Sequence, residues 1–317
     1  MHQCKVKTTH SSKITCDEYK MVYKEVNHKT FFESLQQVYQ QYSIPNMSQL
    51  IIHQNQFEIP MKRNLFRLLE IKGSIQGQKV KFLVDTGAQI SAIRPYLLEK
   101  LKLKKYPPLE VAGFGGSKSQ LETVIVEKLA FGHIEVLNHP MIVLSKQTFS
   151  MKIANVDLIA FDAILGWDIL SRIDFELDDV SHTFKCIHNE YRFKYPNSII
   201  GSFPLIIGRR QNELVKLGID TGAYYGWISK KYMEKHQIEG IHIETLSYGV
   251  NGKEKNQTQL VQDFDVLLDH GYIKLKEIMQ GPCEIFGHFH YDMILGNEIF
   301  NGRRIRFINS ASMVLFT

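Results

Sequence analysis

The sequence lacks the features that define several large protein classes. Its 317 residues include only four cysteines, which are far apart and form no Cys-x-x-Cys pair: Cys4, Cys16, Cys186 and Cys283. A disulfide scaffold or a zinc knuckle is therefore not expected. No apolar stretch approaches the length of a membrane span, and the first thirty residues contain no apolar core of a secretory signal. We expect a soluble cytoplasmic protein with reduced thiols and no membrane partner.

Concentrated charge of one sign is also absent. The 38 basic and 33 acidic residues are spread along the chain and give a formal net charge of +5. Basic runs are short, such as those at residues 102–105 and 209–210. Nucleic-acid binding needs positive charge gathered on one face, so no nucleic-acid partner is expected. The length and the 44% hydrophobic content instead allow two domains, each with its own core.

One short stretch occurs twice. Apolar residues 82–84 lead to Asp85-Thr86-Gly87-Ala88, and residues 217–219, Leu-Gly-Ile, lead to Asp220-Thr221-Gly222-Ala223. An Asp-Thr-Gly-Ala tetrapeptide is expected by chance at only about 1 in 10^5 positions. Burying an ionised carboxylate is costly, so two carboxylates in the same local setting indicate a task for the charge. The duplication predicts two similar units whose acidic turns face each other.

Two further motifs follow each acidic turn. Some eighty residues after each aspartate comes an apolar-apolar-Gly triplet, Ile164-Leu165-Gly166 in the first unit and Ile294-Leu295-Gly296 in the second. About thirty residues after each aspartate are residues that suit the tip of a hairpin, because glycine adopts positive φ without strain. These residues are Gly113, Phe114, Gly115 and Gly116 in the first unit and Tyr248 and Gly249 in the second.

Together these motifs resemble the catalytic loops, psi-loops and flaps of retropepsin-like aspartic proteases, and the chain resembles two retropepsin units in tandem. The approach to Asp85 from residue 59 is similar to that of bacterial members. The resemblance implies an all-β, bilobal fold of two retropepsin- or pepsin-like β-barrels related by a pseudo-two-fold axis. It also implies an N-terminal helical extension over residues 1–48, a first lobe over 49–190 and a second over 191–317, joined near residues 191–200.

The resemblance implies a role for each motif. Asp85 and Asp220 are expected to share one proton and to activate one water, without a metal or cofactor. The threonines of the two turns are expected to cross-link the loops, and the hairpins to close over a substrate. Supporting roles fall to the loop residues Thr86, Gly87, Ala88, Thr221, Gly222 and Ala223 and to the psi-loop residues Ile164, Leu165, Gly166, Ile294, Leu295 and Gly296.

The implied function is hydrolysis of peptides or proteins by an aspartic endopeptidase. Because both half-sites lie in one chain, a monomer is expected. Pepsin-like enzymes carry Ser or Thr at the positions of Ala88 and Ala223, where the hydroxyl donates to the carboxylate. Losing that donor raises a carboxyl pKa, which predicts an optimum at milder pH than that of a gastric-type enzyme. The alternative is an inactive or slow module that binds an extended peptide in the same cleft.

Other residues permit weaker interpretations. His288 and His290 follow Cys283 closely and suit zinc, but no fourth ligand can be identified, so no metal is expected. Aromatic residues after the second acidic turn either line a specificity pocket or pack in the core: Tyr224, Tyr225 and Trp227. In the first unit, residues 65–75 and 80–84 predict a hairpin that turns at residues 73–77.

The N-terminal extension contains one helical pattern. Between Thr30 and Tyr42 the apolar residues recur at helical spacing, Thr30 and Glu33 form a potential capping box, and Pro45 follows as a stop. We expect an amphipathic helix that packs on the body of the protein. An inhibitory segment across the cleft and a docking site for a partner are the alternatives.

Overall fold

The computed structural model describes residues 14–25, 31–112, 118–145, 152–153, 156–157, 161–188, 196–201, 203–249, 252–268, 271–285 and 289–317. Over these residues the chain is mostly β-strand with a few short helices, in two lobes, as predicted. Within the same residues, no helix is both long enough and apolar enough to cross a bilayer.

The extension forms two helices, α1 (Cys16–Glu25) and α2 (Phe31–Gln41). The spacing predicted α2, although its proposed cap Thr30 lies outside the described residues. The sequence analysis did not predict α1, which begins with a capping box: the Thr15 amide donates to the Glu18 carboxylate at 2.9 Å, and the Glu18 amide donates to the Thr15 hydroxyl at 3.3 Å. The pattern Thr-x-x-Glu is visible in the sequence.

The first lobe is built from short strands with two short helices among them. Its elements are β1 (Gln49–Ile52), β2 (Gln56–Arg63), β3 (Leu69–Ile75), β4 (Gln78–Val84), β5 (Ala92–Ile93), α3 (Pro95–Lys100), β6 (Lys105–Ala112), β7 (Lys118–Phe131), β8 (Ile134–Val143), β9 (Lys152–Ile153), β10 (Val156–Asp157), β11 (Ala163–Leu165), α4 (Trp167–Leu170), β12 (Phe175–Asp178) and β13 (Thr183–Ile187).

The second lobe repeats much of this order. Its elements are β14 (Ser198–Ile200), β15 (Pro204–Arg210), β16 (Glu213–Ile219), β17 (Trp227–Ile228), α5 (Lys230–Lys235), β18 (Ile241–Gly249), β19 (Gly252–Leu268), β20 (Gly271–Gln280), β21 (Glu284–Ile285), β22 (Phe289–His290), β23 (Met293–Leu295), β24 (Arg304–Ile308) and β25 (Met313–Phe316), with 3-10 turns at Asn297–Phe300 and Asn309–Ala311.

The same four-strand arrangement positions the acidic turn in each lobe. The strand order is β3-β4-β11-β5 in the first lobe and β15-β16-β23-β17 in the second, and in each the strand before the aspartate runs parallel to the psi-loop strand. The last three residues of β4 and of β16 are buried, so each turn begins where a strand ends in the core. Repetition of this local order explains why the two tetrapeptides have similar surroundings.

The predicted turn at residues 73–77 needs one correction. The β3–β4 hairpin turns at Gln76 and Gly77, and Gly73 lies within β3 opposite Val80. A side chain at Gly73 would be only 2.3 Å from the Ala130 carbonyl oxygen of β7, so this glycine permits close strand packing. The glycine that makes the turn is Gly77, with φ of 79°.

A shared sheet joins the two lobes. Strand β12 of the first lobe pairs antiparallel with β24 of the second, and Phe175 lies opposite Phe307. Their rings stack with centroids 4.6 Å apart, and the Trp167 ring meets Phe307 edge-on at 6.3 Å. The lobes therefore share one aromatic core, which fixes their relative position.

The two helices of the extension pack on different lobes. Leu35 and Tyr39 of α2 are buried in the core that contains the first lobe, and Val22 of α1 is buried in a cluster with Phe203 of the second lobe. Glu18 of α1 also accepts a hydrogen bond from an arginine of β15 at 2.6 Å. This arrangement supports the packing interpretation of the extension.

Candidate active site

The acidic turns are held by the psi-loop strands beside them. The Asp85 amide donates to the Leu165 carbonyl at 3.1 Å, and the Asp220 amide donates to the Leu295 carbonyl at 2.9 Å. Each aspartate thus continues the hydrogen bonding of a buried strand before the chain turns away. The turns have matching backbone positions in the two lobes.

Each carboxyl group is bound by the amides of its own turn. Asp85 Oδ1 accepts from the amides of Gly87 and Ala88 at 2.9 and 3.0 Å. Asp220 Oδ1 accepts from the corresponding amides, those of Gly222 and Ala223, at 2.8 and 3.1 Å. Two donors to one oxygen fix the rotamer of each carboxyl group and leave its second oxygen free of these amides.

The two threonines of the turns bind each other across the lobes. The Thr86 amide donates to the Thr221 hydroxyl at 3.0 Å, and the Thr221 amide donates to the Thr86 hydroxyl at 3.1 Å. The Thr86 hydroxyl donates to the Ile219 carbonyl at 2.6 Å, and the Thr221 hydroxyl donates to the Val84 carbonyl at 2.7 Å. Both threonines are fully buried, so four hydrogen bonds lock the turns together away from water.

This lock brings the two carboxyl groups together. A Cβ atom on Gly87 would lie 2.4 Å from Asp220 Cγ, and a Cβ on Gly222 would lie 2.4 Å from Asp85 Cγ. Each carboxyl group therefore covers the glycine of the opposite turn, which places the two groups close together. Only glycine leaves room for this approach.

The pKa of both carboxyl groups is raised, and burial is the largest cause for each. Burial is the largest cause for Asp85, opposed by the amides of its own turn, which lower the pKa. The pKa of Asp220 lies well above its ordinary value, first because the group is buried and second because of the charge on Asp85. Like charges at this distance cannot both be ionised, so the two carboxyl groups share one proton.

The psi-loop glycines support the turns from behind. Ala88 and Ala223 accept hydrogen bonds through their carbonyls, each at 2.7 Å, from the amides that follow Gly166 and Gly296. A Cβ on Gly166 would lie 2.8 Å from the Ala88 carbonyl oxygen, and one on Gly296 would lie 2.6 Å from the Tyr225 carbonyl oxygen. A larger residue in place of Gly166 or Gly296 would therefore displace the acidic turn beside it.

The sequence analysis did not predict one contact between the lobes, which lies beside the second acidic turn. Arg63 of the first lobe forms an ion pair with Asp179 at 2.7 Å and donates to the Asn297 side chain of the second lobe. Asn297 in turn donates to the Thr221 carbonyl at 2.8 Å. No motif marks Arg63, because its partners are distant in sequence and only the folded chain brings them together.

The expected flap residues are described only in part. Strands β6 and β7 pair up to Ala112 and Lys118, whereas Gly113, Phe114, Gly115 and Gly116 lie outside the described residues. In the second lobe, Tyr248 and Gly249 end strand β18, where they pair with the start of β19. Both lobes thus carry a long hairpin at the expected position.

The aromatic residues after Asp220 do not share one environment. The Tyr224 and Tyr225 rings contact each other at 4.5 Å, Tyr225 is 38% exposed, and Arg67 of the first lobe lies 5.9 Å from the Tyr224 ring. Trp227 is half-buried and packs against the cluster beneath α1. Tyr225 therefore suits contact with a substrate, and Trp227 contributes to the core.

The proposed zinc ligands are incompletely described, since His288 lies outside the described residues. Cys283 is buried in the second lobe. Within the described ranges, no group of three or more His, Cys, Asp or Glu side chains is placed to hold a metal ion.

A comparison with protein families finds one match, in the part of the chain that contains the first acidic turn. Residues 71–172, which include Asp85 and Gly166, match the model of a family described as gag-polyprotein putative aspartyl protease. Over these residues the chain is similar to that family, and the match supports aspartic protease activity in general.

The match ends before the second unit, and no curated protein matches the chain. Among solved structures, a retropepsin-like aspartic protease from Rickettsia conorii is 21% identical, with a TM-score of 0.28. The matched region covers 44% of this chain and 91% of that one.

Proposed function

We propose that the protein is an aspartic endopeptidase whose catalytic dyad is formed by Asp85 and Asp220 of one chain. The observation that carries this proposal is the position of each carboxyl group over the glycine of the opposite turn. A Cβ atom added to either glycine would lie only 2.4 Å from the Cγ atom of that carboxyl group. A structural role alone gives no reason to place two carboxyl groups together away from water, because burying the charge that they share raises the free energy of the folded state.

In the proposed reaction a water molecule bound between the carboxyl groups attacks the peptide carbonyl. The ionised member of the pair removes a proton from that water, and the protonated member donates its proton to the carbonyl oxygen. The tetrahedral intermediate then collapses as a proton moves to the leaving amine. The amides that bind each Oδ1 keep both carboxyl groups oriented through these transfers.

The substrate we propose is a peptide or protein segment bound in extended form between the lobes, beneath the β6–β7 and β18–β19 hairpins. The tandem division into residues 49–190 and 191–317 belongs to the same proposal, as does action as a monomer, because each lobe supplies one aspartate. The cytoplasmic location is also a proposal and rests on composition alone.

The test is cleavage of a mixed peptide library by the purified chain, with and without pepstatin, alongside Asp85→Asn and Asp220→Asn. We expect pepstatin-sensitive cleavage that either substitution abolishes. Asp263→Asn is the matched control, because this exposed aspartate has φ of 50°, which asparagine tolerates, and it should cleave normally. Full activity of either dyad variant would refute the pairing, and pepstatin binding without cleavage would favour a peptide-binding module.

A further inference from the structure

The turn of Asp85 is held from behind by a buried carboxyl group. The Ser91 amide and hydroxyl donate to the Asp168 carboxylate at 2.8 and 2.6 Å, and the same hydroxyl accepts from the Gly166 amide at 3.0 Å. Ser91 and Asp168 are both buried. These bonds join the end of the acidic turn to the psi-loop, so a displacement of Asp168 would move the turn.

Further hydrogen bonds lead from this carboxyl group to the N-terminal extension. His139 Nε2 lies 3.0 Å from Asp168 Oδ2, and His139 Nδ1 lies 2.8 Å from the Ser48 hydroxyl oxygen. Ser48 ends the extension, and β1, which begins directly after it, pairs with β8, the strand that contains His139. Arg172 Nη1 also donates to the Ser48 hydroxyl oxygen, at 3.0 Å. The extension thus contributes a side chain to the polar contacts behind the first acidic turn.

The directions of these hydrogen bonds are consistent with one another. Because Arg172 donates to the Ser48 oxygen, the Ser48 hydroxyl keeps its own hydrogen to donate to His139 Nδ1. The imidazole proton is then on Nε2, from which it is donated to the Asp168 carboxylate. The side chains of His139 and Asp168 are only 4% and 1% exposed, so water has little access to replace a lost donor. Ser48 therefore sets the tautomer of His139.

The turn of Asp220 has no such series of contacts among the described residues. Gly226 occupies the position of Ser91, six residues after the aspartate, and only its amide donates, to Glu298 Oε1 at 2.9 Å. Glu298 Oε2 is buried and has no hydrogen-bond partner in the described part of the chain. Within these ranges, only the first acidic turn has a polar connection to the extension.

We infer that Ser48 and His139 are positioning residues of the first half-site, so that the extension supports catalysis as well as packing on the lobes. Ser48 sets the His139 tautomer, His139 orients the Asp168 carboxylate, and Asp168 holds the turn that carries Asp85. This inference deepens the proposed function and rests on it, because it concerns the rate at which the Asp85–Asp220 pair acts. An inhibitory extension would have the opposite effect, since its contacts would lower activity.

The first experiment compares Ser48→Val with Ser48→Thr in the full chain. The two side chains have nearly the same shape, and only threonine keeps a hydroxyl. Ser48→Val should have about tenfold lower kcat than Ser48→Thr, with KM values within about twofold, because a small displacement of one carboxyl group slows the chemical step and leaves substrate binding intact. Ser48→Ala, which adds no bulk, should match the valine variant. Equal kcat values for valine and threonine, or a wild-type kcat for Ser48→Ala, would overturn the inference.

A double-mutant cycle tests the route through His139. His139→Leu removes both ring nitrogens and should lower kcat at least as much as Ser48→Val does. If Ser48 acts through His139, adding Ser48→Val to His139→Leu should change kcat by less than about twofold. A further tenfold fall would overturn the inference, because Ser48 would then act by another route.

A second measurement does not depend on peptidase activity. Amide hydrogen exchange, followed by mass spectrometry, compares peptides over residues 82–93 and 217–228 in the same sample. The Ser91 amide should exchange about tenfold faster in Ser48→Val than in Ser48→Thr, whereas the second peptide should exchange equally in both. If the proposed function fails, no variant cleaves peptides but this difference persists. Equal exchange of the first peptide in the two variants, or equal acceleration of both peptides, would overturn the inference.

Discussion

The threonine lock allows a quantitative prediction for one buried hydroxyl. In Thr86→Val the side chain keeps its branched shape but loses the oxygen that donates to the Ile219 carbonyl and accepts from the Thr221 amide. Both of those backbone groups would be left buried without partners. An unsatisfied buried polar group costs roughly 1–3 kcal/mol, so the substitution should lower the free energy of unfolding by about 2–6 kcal/mol.

The matched control is Thr86→Ser, which keeps the hydroxyl and removes one methyl group. It should cost only about 1 kcal/mol, the transfer free energy of a small apolar group. In urea unfolding, with a slope of about 3 kcal/mol per molar, the midpoint of Thr86→Val should fall by roughly 0.7–2 M and that of the serine variant by about 0.3 M. Equal midpoints for the two variants would refute the reasoning, because the hydroxyl would then contribute nothing.

Three further predictions concern the dyad and the extension. Gly87→Ala should lower kcat by about 100-fold or more, because its Cβ would displace the carboxyl group of Asp220. Gly201→Ala is the control and should cleave normally, because the nearest atom to its Cβ would be 3.7 Å away. The activity optimum should lie above about pH 3, because the pKa values of both carboxyl groups are raised. Activity is lost at low pH when the ionised member of the pair takes up a proton and at high pH when the protonated member loses one, and a peak below about pH 3 would contradict this. Deletion of residues 1–48 should give aggregated protein by size-exclusion chromatography, whereas a soluble product with raised activity would favour an inhibitory segment.

Local patterns in the sequence predicted the elements that depend on neighbouring residues. The spacing of apolar residues predicted α2, and the duplicated tetrapeptide predicted two acidic turns after buried strands. Helix α1 was not predicted, although the sequence contains its capping box of Thr15 and Glu18. A short helix with little apolar surface gives only a weak periodic pattern of apolar residues.

Contacts between residues that are far apart in the sequence could not be predicted from one sequence alone. Pairing of Phe175 with Phe307 joins strands from different lobes, and no local pattern specifies such a partner. The carboxyl groups that bind the ends of the two turns are also distant in sequence. Ser91 donates to Asp168 and Gly226 donates to Glu298, and only the folded chain shows these pairs. Resemblance to a family predicted the two aspartates and the residues of their turns as the site, whereas the contacts that support those turns required the folded chain.

Binding of pepstatin, measured by isothermal titration, tests the central claim most directly. One chain supplies both aspartates in this account, so the expected stoichiometry is one inhibitor per chain, and Asp85→Asn or Asp220→Asn should weaken binding strongly. A stoichiometry of one inhibitor per two chains would contradict the account, because the site would then be assembled between two copies.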